Sequence, residues 1–464
     1  MTYLVTAHAL KKRVLNWIAR IARAAHTDDV SNTNRDSSSK MKAGDVLVSR
    51  PTAVREHEIS VVPHAPHATS PTHDAAVSDG RSEADALGVD AWLTEDHTHV
   101  VKIASHRPPD DHDARTHGLV YHGPGRRAWE ERARPVLQEP TDAIVRITTS
   151  TICGTDLHIL KGDVPSVKEG RTLGHEGIGV VTDVGAAVST FVPGDRVLIS
   201  CITSCGRCDF CRRQMYSHCR YGGWILGNTI DGTQAGHVRI PYADTSLYAI
   251  PPDADAEALV MLSDILPTGF ECGVLNGRIQ PGDTVAIVGA GPVGLAALLT
   301  AQFYSPDSVV MIDLDDKRLD VARQFGATSV INSTAGSAVQ QVMDMTAGLG
   351  VDVAIEAVGV PATFDICQAI LAPGGRLANV GVHGVPVSLH LDKLWDRNIS
   401  ITTRLVDTST TPMLLKAVQS GRLQSRRLST HHFALDDIMQ AYDTFEHAAR
   451  EGALKVILSN DGRG

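Results

Sequence analysis

No run of 18 consecutive apolar residues occurs in this chain of 464 residues, so the sequence offers no membrane-spanning helix. A basic excess is missing too. Lys and Arg number 43 against 53 Asp and Glu, a formal net charge of -10. That balance leaves no basic face for nucleic acid, and no nucleic-acid partner is expected. The N-terminus lacks the apolar core of a signal peptide, and no cysteine precedes Cys153. A disulfide-stapled secreted fold is argued against on both counts, and a cytoplasmic location is expected.

Residues 27–117 are short of aromatics and of periodicity and rich in Asp, Ser, Thr, Pro and His. Such composition predicts a poorly ordered extension over 1–117, to which the sequence assigns no role. It holds 11 of the 21 histidines. His64, His67 and His73 match no metal-site spacing, and Pro-rich surroundings would not hold ligands rigidly. Leu10, Val14, Trp17, Ile18 and Ile21 recur at helical spacing among Lys11, Lys12, Arg13, Arg20 and Arg23. This reads as a short solvated basic helix rather than a membrane anchor. The fragment after Met41, Lys-Ala-Gly-Asp-Val-Leu-Val, opens no complete module, and a true start further down is an alternative.

What is present points to two or three domains, with 43% hydrophobic residues to build cores and 40 glycines for tight turns. Order begins at Gly118, with strand signals at Leu119–Tyr121 and Ala143–Thr148, and β character continues to about residue 250. From about Thr268 strands and helices alternate. Strands are expected at Thr284–Val288, Ser308–Ile312, Ser329–Ile331, Val351–Glu356, Arg376–Val380 and Ile399–Thr403, and helices at Pro292–Tyr304 and Lys317–Phe325. Alternation of this kind means a doubly wound parallel sheet, an α/β Rossmann-type domain beside a β-rich one. After Arg404 the pattern is mixed again, as in a return to the first domain.

Gly289-Ala-Gly291-Pro292-Val293-Gly294 follows the strand Thr284–Val288 and opens a helix. In that context it is a dinucleotide fingerprint. Gly289 permits the turn, Gly291 lets the backbone approach a pyrophosphate, and Gly294 lets the helix pack close to the strand. The helix N-terminus presents free N–H groups to phosphate. Asp313, 19 residues past Gly294, ends the next strand. Its carboxylate suits ribose hydroxyls and repels a 2′-phosphate, which favours NAD over NADP, and Arg318 is placed to meet the ribose. Asp315 and Asp316 read as the solvated start of a helix.

All eight cysteines lie between Cys153 and Cys367. Cys205, Cys208, Cys211 and Cys219 fall within 15 residues. Close pairs let neighbouring sulfurs converge on one ion, and four thiolates suit a closed structural zinc site. An iron–sulfur cluster would use the same number of cysteines. Cys201 and Cys272 read as core residues. Three further segments carry ligand types: Cys153-Gly-Thr155-Asp156-Leu-His158, Gly174-His175-Glu176-Gly177 and Leu-Ser-Asp264-Ile-Leu. Taken singly, each has a plain packing reading.

Together, in this order and around the cysteine lobe and the Gly-rich unit, these segments resemble the zinc-containing alcohol dehydrogenases of the medium-chain dehydrogenase/reductase family. The resemblance runs from about Gly118 to the C-terminus. It implies a GroES-like catalytic zinc domain over 118–267, an NAD-binding Rossmann domain over 268–403, and a return to the catalytic domain over 404–464. It further implies two Zn2+ per chain, with Cys153, His175 and Asp264 on the catalytic ion and Glu176 beside it. Many members have a second cysteine where Asp264 stands. Asp at that place resembles a subset acting on alcohols and formaldehyde.

The resemblance also implies chemistry. A zinc with one open position acidifies an alcohol, and a hydride passes to the nicotinamide of NAD. Thr155 would hydrogen-bond the alcohol oxygen, and His158 would carry the proton out through the cofactor ribose. Asp156 would fix the tautomer of His175. Leu160, Trp224 and Leu405 are placed to wall the pocket. The expected partner is a small alcohol or aldehyde, and the expected assembly a homo-oligomer, tetramer over dimer, with Ile399–Thr403 at an extendable sheet edge. An NAD-linked formaldehyde dehydrogenase or dismutase of the same fold is the alternative activity. A catalytically silent binding protein is the third reading, set against the presence of every named site residue.

Overall fold

The computed structural model describes residues 46–49, 57–61, 68–70, 77, 91–94, 101–104 and 115–460. The chain divides into two compact units. One comprises residues 1–115, 136–145 and 180–195, and the other 116–135, 146–179 and 196–464.

In the first unit Val46–Ser49 is the middle strand of a five-stranded sheet. It pairs antiparallel with His57–Val61 and parallel with Ala91–Thr94. Ala68–Ser70 and Val101–Ala104 form the edges. Leu47 and Ala91 are buried. The sequence predicts a poorly ordered stretch here, and the sheet differs from that. Its strands are three to five residues long. Segments that short show little alternation of their own, and the pairing of Val46–Ser49 with Ala91–Thr94 spans about forty residues. The N-terminal helix over 10–23 and the histidines His64, His67 and His73 lie outside the described residues.

The second unit is built around a six-stranded parallel sheet. Its order is Ser329–Asn332, Ser308–Asp313, Thr284–Val288, Val351–Glu356, Leu371–Asn379, Ser400–Thr403. The central strand, Thr-Val-Ala-Ile-Val, shows why the sheet is buried on both faces. Val285 and Ile287 enter one apolar cluster with Leu295, Met311, Val353 and Ile355. Ala286 and Val288 enter the other with Val310, Ile312, Ala354 and Leu377. Alternate residues thus point into separate cores, and the strand reads as a continuous apolar run. Pro292, at the first turn of the helix Pro292–Ala301, fits where no intrahelical N–H is needed.

A third cluster joins Leu119, Ile152 and Leu173 to Ile438, Tyr442, Val456 and Leu458. The last strand, Lys455–Ser459, runs antiparallel to Thr149–Thr151 and parallel to Ser429–Ala434. The chain therefore returns to the strand that leads into Cys153. Among the described residues no single helix is long and apolar enough to cross a membrane. The segments Ala256–Leu262 and Ile265–Leu275 reach that length and apolarity only as a pair bent by 50°, and most of their side chains are buried.

Candidate active site

The glycine turn has the geometry its sequence predicts. Gly289 has φ +109, and a Cβ there would lie 2.6 Å from Val358 Cγ2. A Cβ on Gly294 would lie 1.8 Å from Gly289 O, so only glycine lets this helix sit against its strand. A Cβ on Gly291 would meet nothing within 4 Å. That space beside free helix N–H groups is where a phosphate fits. Asp313 closes the turn: its Oδ2 accepts from Ala290 N at 2.6 Å, and its Oδ1 from Leu314 N and Asp315 N. Asp315 caps the next helix through Lys317 N. Arg318 is half-buried, with its Nε unpartnered. Lys317 is engaged elsewhere, donating to Arg450 O at 3.3 Å.

Cys153 sits where the strand Ala143–Thr151 gives way to the helix Gly154–Lys161, as its N-cap. His175 follows the tight turn at Gly174, whose φ is +95. Asp264 lies at the break between two helical segments, at φ -144 and ψ -68. One ligand atom from each of these three residues lies within 4.8 Å of the others. Asp264 Oδ2 is 3.2 Å from His175 Nε2 and 3.6 Å from Cys153 Sγ. Its Oδ1 accepts from Thr268 Oγ1. Burial pushes the Cys153 thiol up, and the Glu176 charge adds to that. Burial disfavours a charged His175, yet contacts with Asp264 and Cys153 outweigh it and hold its pKa well above the usual value. Three donors that raise the demand for positive charge in a buried pocket suit a divalent cation.

Asp156 lies behind His175. Its Oδ1 is 3.9 Å from His175 Nδ1, an ion-pair distance longer than a hydrogen bond, and has no hydrogen-bond partner. Its Oδ2 accepts from Cys153 N and Gln234 Nε2. With Nδ1 facing Asp156, Nε2 is the nitrogen presented to the Cys153 and Asp264 side. Glu176 Oε1 is buried without a partner, while Oε2 accepts from Lys455 Nζ and Thr151 Oγ1. Lys455, 1% exposed, also donates to Ile152 O at 3.1 Å. Burial disfavours the ammonium, but the charges of Glu176, Cys153 and Asp264 and the hydrogen bond to Glu176 together outweigh it, so the Lys455 pKa is raised. Sequence reasoning missed Lys455, Thr151, Thr268 and Gln234. The available signal was a lone cation inside the apolar run Leu454-Lys-Val-Ile-Leu458.

These residues open onto a cleft of about 510 Å3. Cys153, Thr155, His158, His175 and Asp264 line it, as do Val293, Ala357, Val358 and Val380 from the parallel-sheet region. Thr155 and His158 lie one turn apart on the same helix. His158 Nδ1 pairs with Asp163 Oδ2 at 2.9 Å, with 29% of its side chain exposed. Trp224 and Leu405 line the cleft as expected. Leu160 does not: it packs into the apolar core with Leu119 and Tyr442, because its place on the helix turns it inward. Cys201 and Cys272 are buried as expected and pack with Ile202 and Val406, but both also reach the cleft. Cys201 Sγ is 3.8 Å from Asp264 Oδ1.

The four-cysteine lobe assembles on two short helical turns, Cys211–Arg213 and Tyr216–His218. The four sulfurs lie within 4.8 Å of one another. Cys219 Sγ accepts from Cys205 N at 3.3 Å, and Cys208 Sγ from Cys211 N at 3.5 Å. Backbone N–H groups of Cys211 and Arg220 pull the Cys208 thiol down to about 6, while burial pushes Cys211 up to about 12. Four sulfurs, joined by no further ligand group among the described residues, fit a closed tetrahedral metal site.

A glycine turn for a dinucleotide and a Cys–His–Asp pocket on one cleft define the class: a zinc-binding dehydrogenase that uses a nucleotide cofactor. The comparisons agree. The alcohol dehydrogenase GroES-like domain family matches residues 139–252, and the zinc-binding dehydrogenase family residues 292–420. An alcohol dehydrogenase of Cupriavidus necator is 37% identical over 364 residues, 73% of this chain and 97% of its own. An NADP-dependent isopropanol dehydrogenase of Thermoanaerobacter brockii is 31% identical over 344 residues, 72% of this chain and 97% of its own. The solved structure of zinc dependent alcohol dehydrogenase 2 from Streptococcus pneumonia is 54% identical, with a TM-score of 0.72 over 75% of this chain and 99% of that one. The chain belongs to the zinc-type alcohol dehydrogenases of the medium-chain dehydrogenase/reductase family.

Proposed function

We propose that this protein is an NAD-linked alcohol dehydrogenase that interconverts small alcohols with aldehydes or ketones, using two zinc ions per chain. The observation that carries the reading is the meeting of Cys153, His175 and Asp264 on the cleft that Val293 of the glycine turn also lines. Cys153, His175 and Asp264 would hold one zinc, and Cys205, Cys208, Cys211 and Cys219 the other. Zinc at the first site supplies Lewis-acid acidification of an alcohol, and NAD supplies the hydride acceptor.

The chain's own residues do the rest. Asp156 orients His175 from behind. Thr155 hydrogen-bonds the alcohol oxygen and gives up its own hydroxyl proton as it accepts the alcohol's, and His158, one turn along and partnered by Asp163, passes a proton from the cofactor ribose to solvent. Lys455 holds the carboxylate of Glu176 beside the site. The turn from Gly289 to Gly294, with Pro292 at the helix start, receives the pyrophosphate, and Asp313 with Arg318 meets the adenosine ribose. An Asp313 carboxylate disfavours a 2′-phosphate, and Lys317 is turned to Arg450 O, so NAD is preferred although one relative uses NADP.

The catalytic domain comprises 118–267 and 404–464, and the cofactor domain 268–403. The enzyme works in the cytoplasm, where thiolate ligands stay reduced. It works as a homo-oligomer, with the edge strand Ser400–Thr403 at the contact. The test is NADH formation by zinc-loaded enzyme on a panel of short, secondary and aromatic alcohols and formaldehyde, with NAD and NADP in parallel. Turnover with NAD supports the reading. NADP working equally well removes the role given to Asp313.

A further inference from the structure

Among the described residues, the cleft has one Lys or Arg on its lining, Arg404. It follows the edge strand Ser400–Thr403 directly. Its Nη2 donates to Asp407 Oδ2 at 2.8 Å. The guanidinium side chain is 38% exposed, whereas that of Asp407 is 5% exposed. Asp407 Oδ1 accepts from the N–H and the hydroxyl of Ser217, at 2.9 and 2.7 Å. Asp407 N donates to Glu271 Oε2 at 2.9 Å. Glu271, itself 1% exposed, takes the N–H and hydroxyl of Thr410 on its other oxygen. It stands in the π-helix Thr268–Leu275, a rare helix form that recurs at functional sites.

Two buried carboxylates thus fix the loop after Thr403, and one of them aims Arg404. A surface Arg–Asp pair needs no such frame, and burying a carboxylate without a use for it is costly. Among the described residues Asp407 is the hydrogen-bond partner of Arg404, which leaves donors of its planar fork unengaged, in a cleft otherwise walled mainly by apolar side chains. That fork matches the two oxygens of a carboxylate.

We propose that Arg404 is a specificity-determining residue that binds an anionic group of the substrate, so that the preferred substrates are alcohols and carbonyl compounds bearing a carboxylate. This rests on the dehydrogenase reading above. Asp407 is a positioning residue that acts through Arg404. In the reaction the carbinol C–H bond breaks, its electron pair passes as hydride to the nicotinamide ring, and the hydroxyl proton leaves to solvent. The carboxylate is unchanged.

The test compares sec-butanol with β-hydroxybutyrate, which has a carboxylate in place of one terminal methyl, using zinc-loaded enzyme and saturating NAD. The wild type is expected to favour the anion in kcat/KM by about 10- to 100-fold, the range a charge-assisted hydrogen bond supplies. Arg404→Leu should bring that ratio to within about threefold of one, through KM rather than kcat, while Arg404→Lys keeps part of it. Asp407→Asn should lower the ratio in the same direction, and Arg404→Leu stands alone if that variant does not fold. Equal kcat/KM for the two compounds in the wild type overturns the proposal. So does a ratio that Arg404→Leu leaves as it was, or an effect confined to the KM for NAD, which would give Arg404 to the cofactor. Failure to oxidise any alcohol, neutral or anionic, with both zinc sites filled would sink the dehydrogenase reading itself and this proposal with it.

Discussion

Two buried charges at the site are balanced against each other, and their removal should be felt as stability. Lys455 and Glu176 are each 1% exposed and pair directly. Lys455→Met leaves a buried carboxylate with only Thr151 as donor. The expected loss is about 3–5 kcal/mol, because an uncompensated buried charge costs more than the pair contributes. The double change Lys455→Met with Glu176→Gln removes that charge and should recover at least half. Urea unfolding of the two single variants and the double gives the coupling directly. A single variant costing under about 1 kcal/mol would mean that Lys455 does not hold Glu176.

His237 carries a different signature. Burial, aided by the charges of Arg134 and Arg146, pulls its pKa from 6.5 to about 3. The folded chain therefore refuses a proton that the unfolded chain takes up below pH 6.5. Its contribution is fully present above pH 6.5 and is lost progressively as pH falls towards about 3. In that window the slope of stability against pH should be steeper by up to about 1.36 kcal/mol per pH unit than in His237→Gln. Denaturant titrations at several pH values check this. Identical slopes for the two proteins would mean that His237 is protonated in the fold.

At the scale of the element, the glycine turn separates packing from binding. Gly294 is forced by the protein itself, since Gly289 O fills the space of its Cβ. Gly291 has no neighbour there and an ordinary extended backbone, φ -74 and ψ -179. Gly291→Ala should therefore keep its stability within about 0.5 kcal/mol. On the proposed cofactor placement, NAD binding should nevertheless weaken by about tenfold or more, because the methyl would stand where the pyrophosphate approaches. Gly294→Ala should lose both, with a stability cost of about 1–3 kcal/mol from overpacking. Calorimetric titration with NAD beside thermal melts distinguishes them. A Gly291→Ala protein with undiminished affinity would move the dinucleotide elsewhere.

The same contrast explains what was legible beforehand. The glycine turn, the cysteine lobe and the parallel strands are short-range patterns, in which spacing alone fixes the geometry. Asp313 was readable because it ends the strand next to that turn. Lys455 was not, because it reaches Glu176 from 279 residues away. Asp407 reaches Ser217 from 190 residues away. Leu160 lies in the core and not on the cleft, because a place in the chain beside the site does not say whether a side chain meets a pocket or a core. The sheet at 46–104 is not legible in the sequence, because strands so short reveal themselves only by pairing.

For the whole molecule, the parallel sheet leaves an edge. Among the described residues Ser400–Thr403 pairs on one side with Leu371–Asn379, and the strand order ends there. Nearby in the chain, Trp395 is 77% exposed, and Leu389 and Leu391 are exposed as well. An open edge beside exposed apolar side chains is a liability in a monomer and an asset in an assembly. A second copy meeting this edge would cover both. The enzyme should accordingly run as a dimer or a larger even-numbered assembly in light scattering after size exclusion. Trp395→Glu combined with Leu391→Glu puts two charges into that contact, where burying them unpaired is costly. The double variant should shift to monomer at concentrations where the wild type is fully assembled. Zinc content measured on the same fractions separates loss of assembly from loss of fold. A wild type already monomeric would leave the edge without the partner assigned to it. An unchanged mass for the double variant would place the contact on another face.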